Sequence, residues 1–173
     1  MAITLYDLTV PSFRQTIGAI AACLNKGLAH CQAHSIDPAT LVDAKLAPDM
    51  LPLRFQIVSV AHHSLGALSA VKAGQFAPPG KTPPLTYADL QKMLADTQTG
   101  LQALTAAEVN GLEGGDVTFK IGDFTLPFVA EGFLTSFSMP NFYFHASTAY
   151  DILRNQGVGL GKRDFLGQMR LKA

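Results

Sequence analysis

The run from Ala130 to Gln156, AEGFLTSFSMPNFYFHASTAYDILRNQ, constrains this chain more than any other stretch. It is long and mostly apolar, and it reads as one helix with a small polar set inside it. Ser138, Asn141, His145 and Thr148 recur at three- and four-residue intervals, so they share one face of a 3.6-residue helix. A helix that is apolar on most sides is buried on most sides. The polar stripe is therefore expected to face a cavity rather than bulk water. A buried imidazole needs hydrogen-bond partners or a metal. The plainer alternative is that Asn141 and His145 are satisfied polar residues of a helical core. Pro140 removes one backbone bond and clashes with the carbonyl of Ser136. The expectation is a kink between Ser136 and Pro140, or a helix restarted with Pro140 in its first turn.

Three further helices are expected. Helix 1 begins near Thr9, with Thr9 or Asp7 as cap and Pro11 early, and carries apolar residues at Phe13, Ile17, Ile20, Leu24 and Leu28 to an end near Ser35. Asp37-Pro38 starts a short helical turn. Helix 2 runs from about Leu53 to Ala73 and stops at Gly74. Its stripe of Phe55, Val58, His62, Leu65 and Ser69 turns His62 inward, and His63 falls nearer solvent. Asp49, bracketed by Pro48 and Pro52, caps helix 2 or reaches a ligand over the end of the bundle. Helix 3 follows Thr86, which forms a capping box with Asp89. The segment QFAPPGKTPPLT between helices 2 and 3 is too rich in proline for regular structure. From Val117 to Phe128 the period changes to alternation around Gly122-Asp123, the signature of a hairpin.

Composition bounds the function. The 173 residues suffice for one domain, spanning 1–173. Thirteen basic residues balance thirteen acidic ones, which argues against a nucleic-acid surface. Only 15% of residues are charged, so some outer surface is expected to be covered, most simply in a homodimer. No apolar run is long enough for a membrane span, and the N-terminus carries no signal-peptide pattern. Cys23 and Cys31 read as reduced thiols, which points to the cytoplasm. Gly157, Gly159 and Gly161 follow a helix and do not form a dinucleotide fingerprint. Lys162 and Arg163 beside Asp164 read as a solvated surface or a small anion site.

In an antiparallel bundle of these helices, His62 and His145 would meet in the core. Two histidines alone make a poor zinc site. Asp49, His63 or Asn141 could complete it. His30 and His34 have the spacing of a metal pair but sit at a helix end, as a surface pair would. Tyr150 could donate a proton and joins His62, Asn141, His145 and Thr148 as a candidate pocket residue.

Three strings are long and unusual: LAPDMLPL at Leu46 to Leu53, MPNFYFHASTAYDILR at Met139 to Arg154, and GVGLGKRDFLG at Gly157 to Gly167. On these the chain resembles an uncharacterised bacterial domain family of the DinB/YfiT-like superfamily. The resemblance implies an all-α, DinB-like four-helix bundle of up-down-down-up connectivity, here with a small β-hairpin insert between helices 3 and 4, and it implies dimerisation. The wider superfamily is similar to metal-dependent proteins, including thiol-dependent transferases and isomerases. There one histidine of helix 2 and two of helix 4, four residues apart, hold a divalent metal. Carried over, His62 is the helix 2 ligand and His145 one helix 4 ligand. The second helix 4 position falls on Asn141 or Ala149. The site is then degenerate, with zinc or nickel held weakly, with help from Asp49, or not at all. Three readings follow: a small-ligand domain with a central polar pocket, a divalent-metal-dependent enzyme using His62 and His145, and a structural or interaction module.

Overall fold

A computed structural model describes residues 3–81 and 83–172. Helix α1 (Leu5–His34) opens the chain. Its start is set by a reciprocal cap: the Thr4 hydroxyl accepts the Asp7 N–H, and the Asp7 carboxylate accepts the Thr4 N–H, both at 3.2 Å. This places the helix start four residues ahead of the expected Thr9, with Pro11 inside the helix. Thr9 is buried, and its hydroxyl donates to the Leu5 carbonyl at 2.7 Å. Helix α2 (Ala39–Asp43) follows, with the Asp37 side chain accepting the Ala39 N–H. Helix α3 (Leu53–Ala61), a π-helical turn (His62–Gly66) and α4 (Ala67–Ala73) then run on without a break, closed by Gly74 at φ +75°. The Thr86–Asp89 capping box opens α5 (Tyr87–Ala103), as its sequence predicts. A third box, Thr105–Glu108, opens the short α6 (Ala106–Asn110).

The hairpin forms where the alternation places it. Strands β2 (Asp116–Ile121) and β3 (Phe124–Val129) pair antiparallel, from Asp116 opposite Val129 to Ile121 opposite Phe124. A further strand, β1 (Gln75–Phe76), pairs parallel to β2 through Thr118 and Phe119. The proline-rich connection is therefore regular at its first two residues, before the prolines remove backbone donors. The small sheet closes on the bundle through aromatic rings. Phe119 and Phe128 lie 5.0 and 5.8 Å from Phe137, and Phe76 lies 5.0 Å from Phe133.

The last long helix is built from α7 (Ala130–Gly132), a second π-helical turn (Phe133–Ser138) and α8 (Met139–Asn155). The break expected around Pro140 takes this form. Pro140 stands in the first turn of α8, where its missing N–H costs least, and the wide turn before it relieves the crowding at Ser136. Around the bundle, α1 packs between α5 and α8, and α3 packs between the same two helices. Buried Phe13, Leu24, Leu53, Ile57, Leu94 and Phe142 fill the space between them. The C-terminal segment is more ordered than its glycines suggest. Helix α9 (Lys162–Leu166) docks on α1, with Lys26 paired to Asp164 at 2.7 Å and Phe165 edge-on to Tyr150.

Close packing of α1, α5 and α8 requires Gly27. A Cβ there would stand 2.4 Å from the Tyr87 hydroxyl and 3.2 Å from Leu153, and Tyr87 donates to the Leu24 carbonyl at 2.8 Å. Gly27→Ala is expected to lower the unfolding free energy by about 1–3 kcal/mol through overpacking. Gly18→Ala, at an exposed helical site with nothing within 4 Å of the added Cβ, is expected to be neutral or stabilising. Urea unfolding of both variants checks the pair.

Candidate functional site

The two π turns face each other across the bundle, and three histidines gather beside them. The residue on α3 that turns inward is Gln56, 2% exposed, and the same stripe continues through Val60, His63 and Ala67. His63 is therefore buried and His62 half-buried, the reverse of the expected order. The expected stripe was drawn through Phe55, Val58 and His62, and it is one position out of register with the true inward face. The repeat of Leu53, Gln56, Val60, His63 and Ala67 at i, i+3, i+7, i+10 and i+14 is the signal that locates it.

His63, not His62, is the ring that stacks on His145. Their centroids are 5.9 Å apart and their planes 17° from parallel. His145 bonds through Nδ1 to Gln56 Oε1 at 2.7 Å. A carboxamide oxygen only accepts, so Nδ1 carries the proton and Nε2 keeps a lone pair. The Ser138 hydroxyl donates to the His63 carbonyl at 3.0 Å and also meets His63 Nδ1 at 3.4 Å. Its single proton is spent on the carbonyl, so the ring Nδ1–H is the donor and His63 Nε2 also keeps a lone pair. His62 is held the other way. Its Nε2 lies 2.7 Å from the Ala77 carbonyl and must donate to it, while the ring stacks on Phe76 at 4.4 Å.

Burial controls the charge of this group. Desolvation, then the neighbouring His62 and His145, push the His63 imidazole down to about 3 from an ordinary 6.5. Desolvation pushes His145 down to about 4. His62 is lowered by burial, partly offset by its bond to Ala77. Phe55 and Phe144 lie against His145 at 5.8 and 5.2 Å, and Phe76 and Phe137 against His63 at 5.3 and 5.9 Å. These rings supply the low-dielectric wall.

The other expected site residues lie apart from this pair in function or in space. Asn141 donates to the Phe137 carbonyl at 2.7 Å, and Thr148 donates to the Phe144 carbonyl at 2.8 Å. Both side chains are thus satisfied within their own helix. Tyr150 packs on Phe165 and accepts from Arg154 at 3.4 Å, on another side of α8. Asp49 is exposed in the turn before α3. Two clefts, of about 710 and 780 Å³, are lined by other residues.

The family model described as "Domain of unknown function (DUF1993)" matches residues 5–166. The chain belongs to this family. The family member is also similar to a solved protein, the crystal structure of a DinB family member protein from Shewanella denitrificans. The two are 28% identical with a TM-score of 0.81, over 98% of this chain and 95% of that one. The fold is a DinB-like helical bundle with a small strand insertion. No curated protein matches.

A divalent metal held by three histidines does not fit this family member. Among the described residues no three of His, Cys, Asp and Glu group closely enough to hold a metal ion. Asp49 therefore does not complete a triad with His62 and His145. On α8 the positions four residues either side of His145 are Asn141, which is bonded to its own helix, and Ala149, which has no donor atom.

The shifted histidines set a pH dependence of known sign. His63 and His145 both stay neutral when folded at a pH where the unfolded chain takes up protons. Their contribution is therefore complete above the ordinary value of 6.5 and is lost as pH falls towards about 4. Between about pH 7.5 and about pH 4.5 the unfolding free energy is expected to fall by about 2–4 kcal/mol, allowing for the solvent that reaches His145. Denaturant titrations across that range check this, and His145→Gln is expected to flatten the slope.

Proposed function

We propose that this chain is a single-domain, small-ligand-binding DinB-like protein whose site is the histidine cluster and whose ancestral type of metal site is degenerate. The observation that carries the reading is the paired arrangement of His63 and His145. Each spends its Nδ1–H on a protein oxygen and keeps an Nε2 lone pair. A metal-binding histidine is usually oriented in this way by an outer hydrogen bond. Two such rings without a third ligand suit a neutral molecule with a polar hydrogen better than a divalent cation. The surrounding Phe55, Phe76 and Phe137 favour an apolar body for that molecule. The two π turns support a functional role, since such turns concentrate at sites.

The alternative is a divalent-metal-dependent enzyme of the thiol-transferase or isomerase type, in which His63, in place of the expected His62, joins His145 and water completes a zinc or nickel shell. It rests on the same lone pairs. Homodimerisation is supported by exposed apolar side chains at Leu51, Phe124 and Phe144. A reducing, cytoplasmic setting is supported by the free, buried Cys23 and Cys31.

Calorimetric titration separates the two readings, with phenol as a probe that has one O–H donor on an apolar ring. The ligand reading expects saturable phenol binding that His145→Ala abolishes, and only weak zinc or nickel binding removed by dialysis. Stoichiometric metal retained through dialysis, and lost in His145→Ala, would establish the enzyme reading instead.

A further inference from the structure

The cleft of about 780 Å³ between α1 and the C-terminal segment is chemically unlike the histidine cluster. Arg14, Arg163 and Arg170 line it, with the carboxamides of Gln15, Gln98 and Gln168. Asp164 is the one acid among its lining residues. That carboxylate is already engaged, accepting from Lys26 Nζ and from the Gly161 N–H, each at 2.7 Å. Thirteen basic residues match thirteen acidic ones over the whole chain, so composition conceals this local excess of guanidinium.

Two atoms make the cleft more than a basic surface. Among the described residues, the buried side-chain polar atoms without a hydrogen-bond partner are Arg14 Nε and Gln98 Oε1. Both residues line this cleft. A donor and an acceptor left without partners on two residues of one cleft lining are matched by a group that both accepts and donates. Side-chain contacts tie the C-terminal segment to α1 beside them. Gln15 donates to the Leu166 carbonyl at 2.9 Å, and Arg170 reaches Ser12 at 3.5 Å. Gly167, at φ +60°, lets the chain lie so close to α1 that a Cβ would stand 2.9 Å from the Ala19 Cβ.

We infer that this cleft binds a small phosphate monoester that carries a free hydroxyl. The phosphate oxygens accept from Arg14 Nε and from the guanidiniums of Arg163 and Arg170. The hydroxyl donates to Gln98 Oε1. Guanidinium forks match phosphate oxygens in geometry and keep their charge at any physiological pH. An ionised carboxylate has acceptors only and leaves Gln98 Oε1 open, so it fits one of the two orphan atoms. The inference stands independently of the histidine cluster.

Calorimetry of the full chain at low salt, with glycerol 3-phosphate and malonate as probes, tests it. One equivalent of glycerol 3-phosphate is expected to bind saturably and more tightly than malonate. Arg14→Lys keeps the charge but removes Nε, and Gln98→Met keeps the shape but removes the acceptor. Each is expected to weaken binding about tenfold or more. His145→Ala is expected to leave it unchanged. Thermal unfolding shows which variants are folded, and Gln98→Met carries the test if Arg14→Lys is not. No saturable binding by the parent, malonate binding as tightly as the phosphate, or full affinity in folded Gln98→Met would overturn the inference.

Discussion

The contact on which the rest of the candidate site depends is the meeting of two widened helical turns. An α-helix satisfies its own carbonyls and leaves little for a neighbour. In a π turn the ladder is stretched, and side-chain hydroxyls step in. Ser64 takes the carbonyl of Val60 at 2.6 Å in the first turn, and Thr135 takes that of Glu131 at 2.6 Å in the second. Ser138, at the end of the second turn, crosses the bundle to the His63 carbonyl in the first. That one bond ties the two irregular segments together and fixes the tautomer of His63. Gln56 does the same for His145 from an adjacent turn of α3. The histidine pair is therefore set by hydrogen bonds that neither ring makes with the other.

The aromatic packing completes the arrangement. The hairpin contributes Phe119 and Phe128, and β1 contributes Phe76, all converging on Phe133 and Phe137 of the second π turn. The insert is thus more than a decoration of the connection between α5 and α7. It covers the side of the bundle on which His62 and His63 lie, and β1 brings the Ala77 carbonyl within reach of His62. Removal from water keeps the imidazoles neutral, and neutral imidazoles are what the lone-pair arrangement requires.

Much of this was legible in the sequence, for identifiable reasons. Apolar periodicity located the four long helices, and the alternation around Gly122-Asp123 located the hairpin within a residue at each strand. The Thr86 box and the Gly74 stop were read from local chemistry and hold. Errors arose where a local rule was outranked. The Thr4 box lies upstream of Pro11, and the proline drew the expected start of α1 towards Thr9. Strand β1 is two residues long and owes its existence to a partner 43 residues further along the chain. The register of α3 was misjudged because nearly all its faces are buried, so apolar stripes alone did not single out the one carrying Gln56 and His63. The π turns left no clear mark, although Pro140 announced that the helix would break near the second. The cleft on α1 was foreshadowed only by Arg163, since Arg14, Gln98 and Arg170 are far apart in sequence.

The proposed function requires His63 and His145 to be neutral rings pinned at Nδ1, with their Nε2 atoms left for a ligand. Long-range nitrogen–proton correlation NMR on histidine-labelled protein reads the tautomers directly. The account predicts protonation at Nδ1 in His63 and His145 and at Nε2 in His62, near neutral pH. Protonation of His63 or His145 at Nε2 would contradict it, because the atom assigned to the ligand would already be occupied.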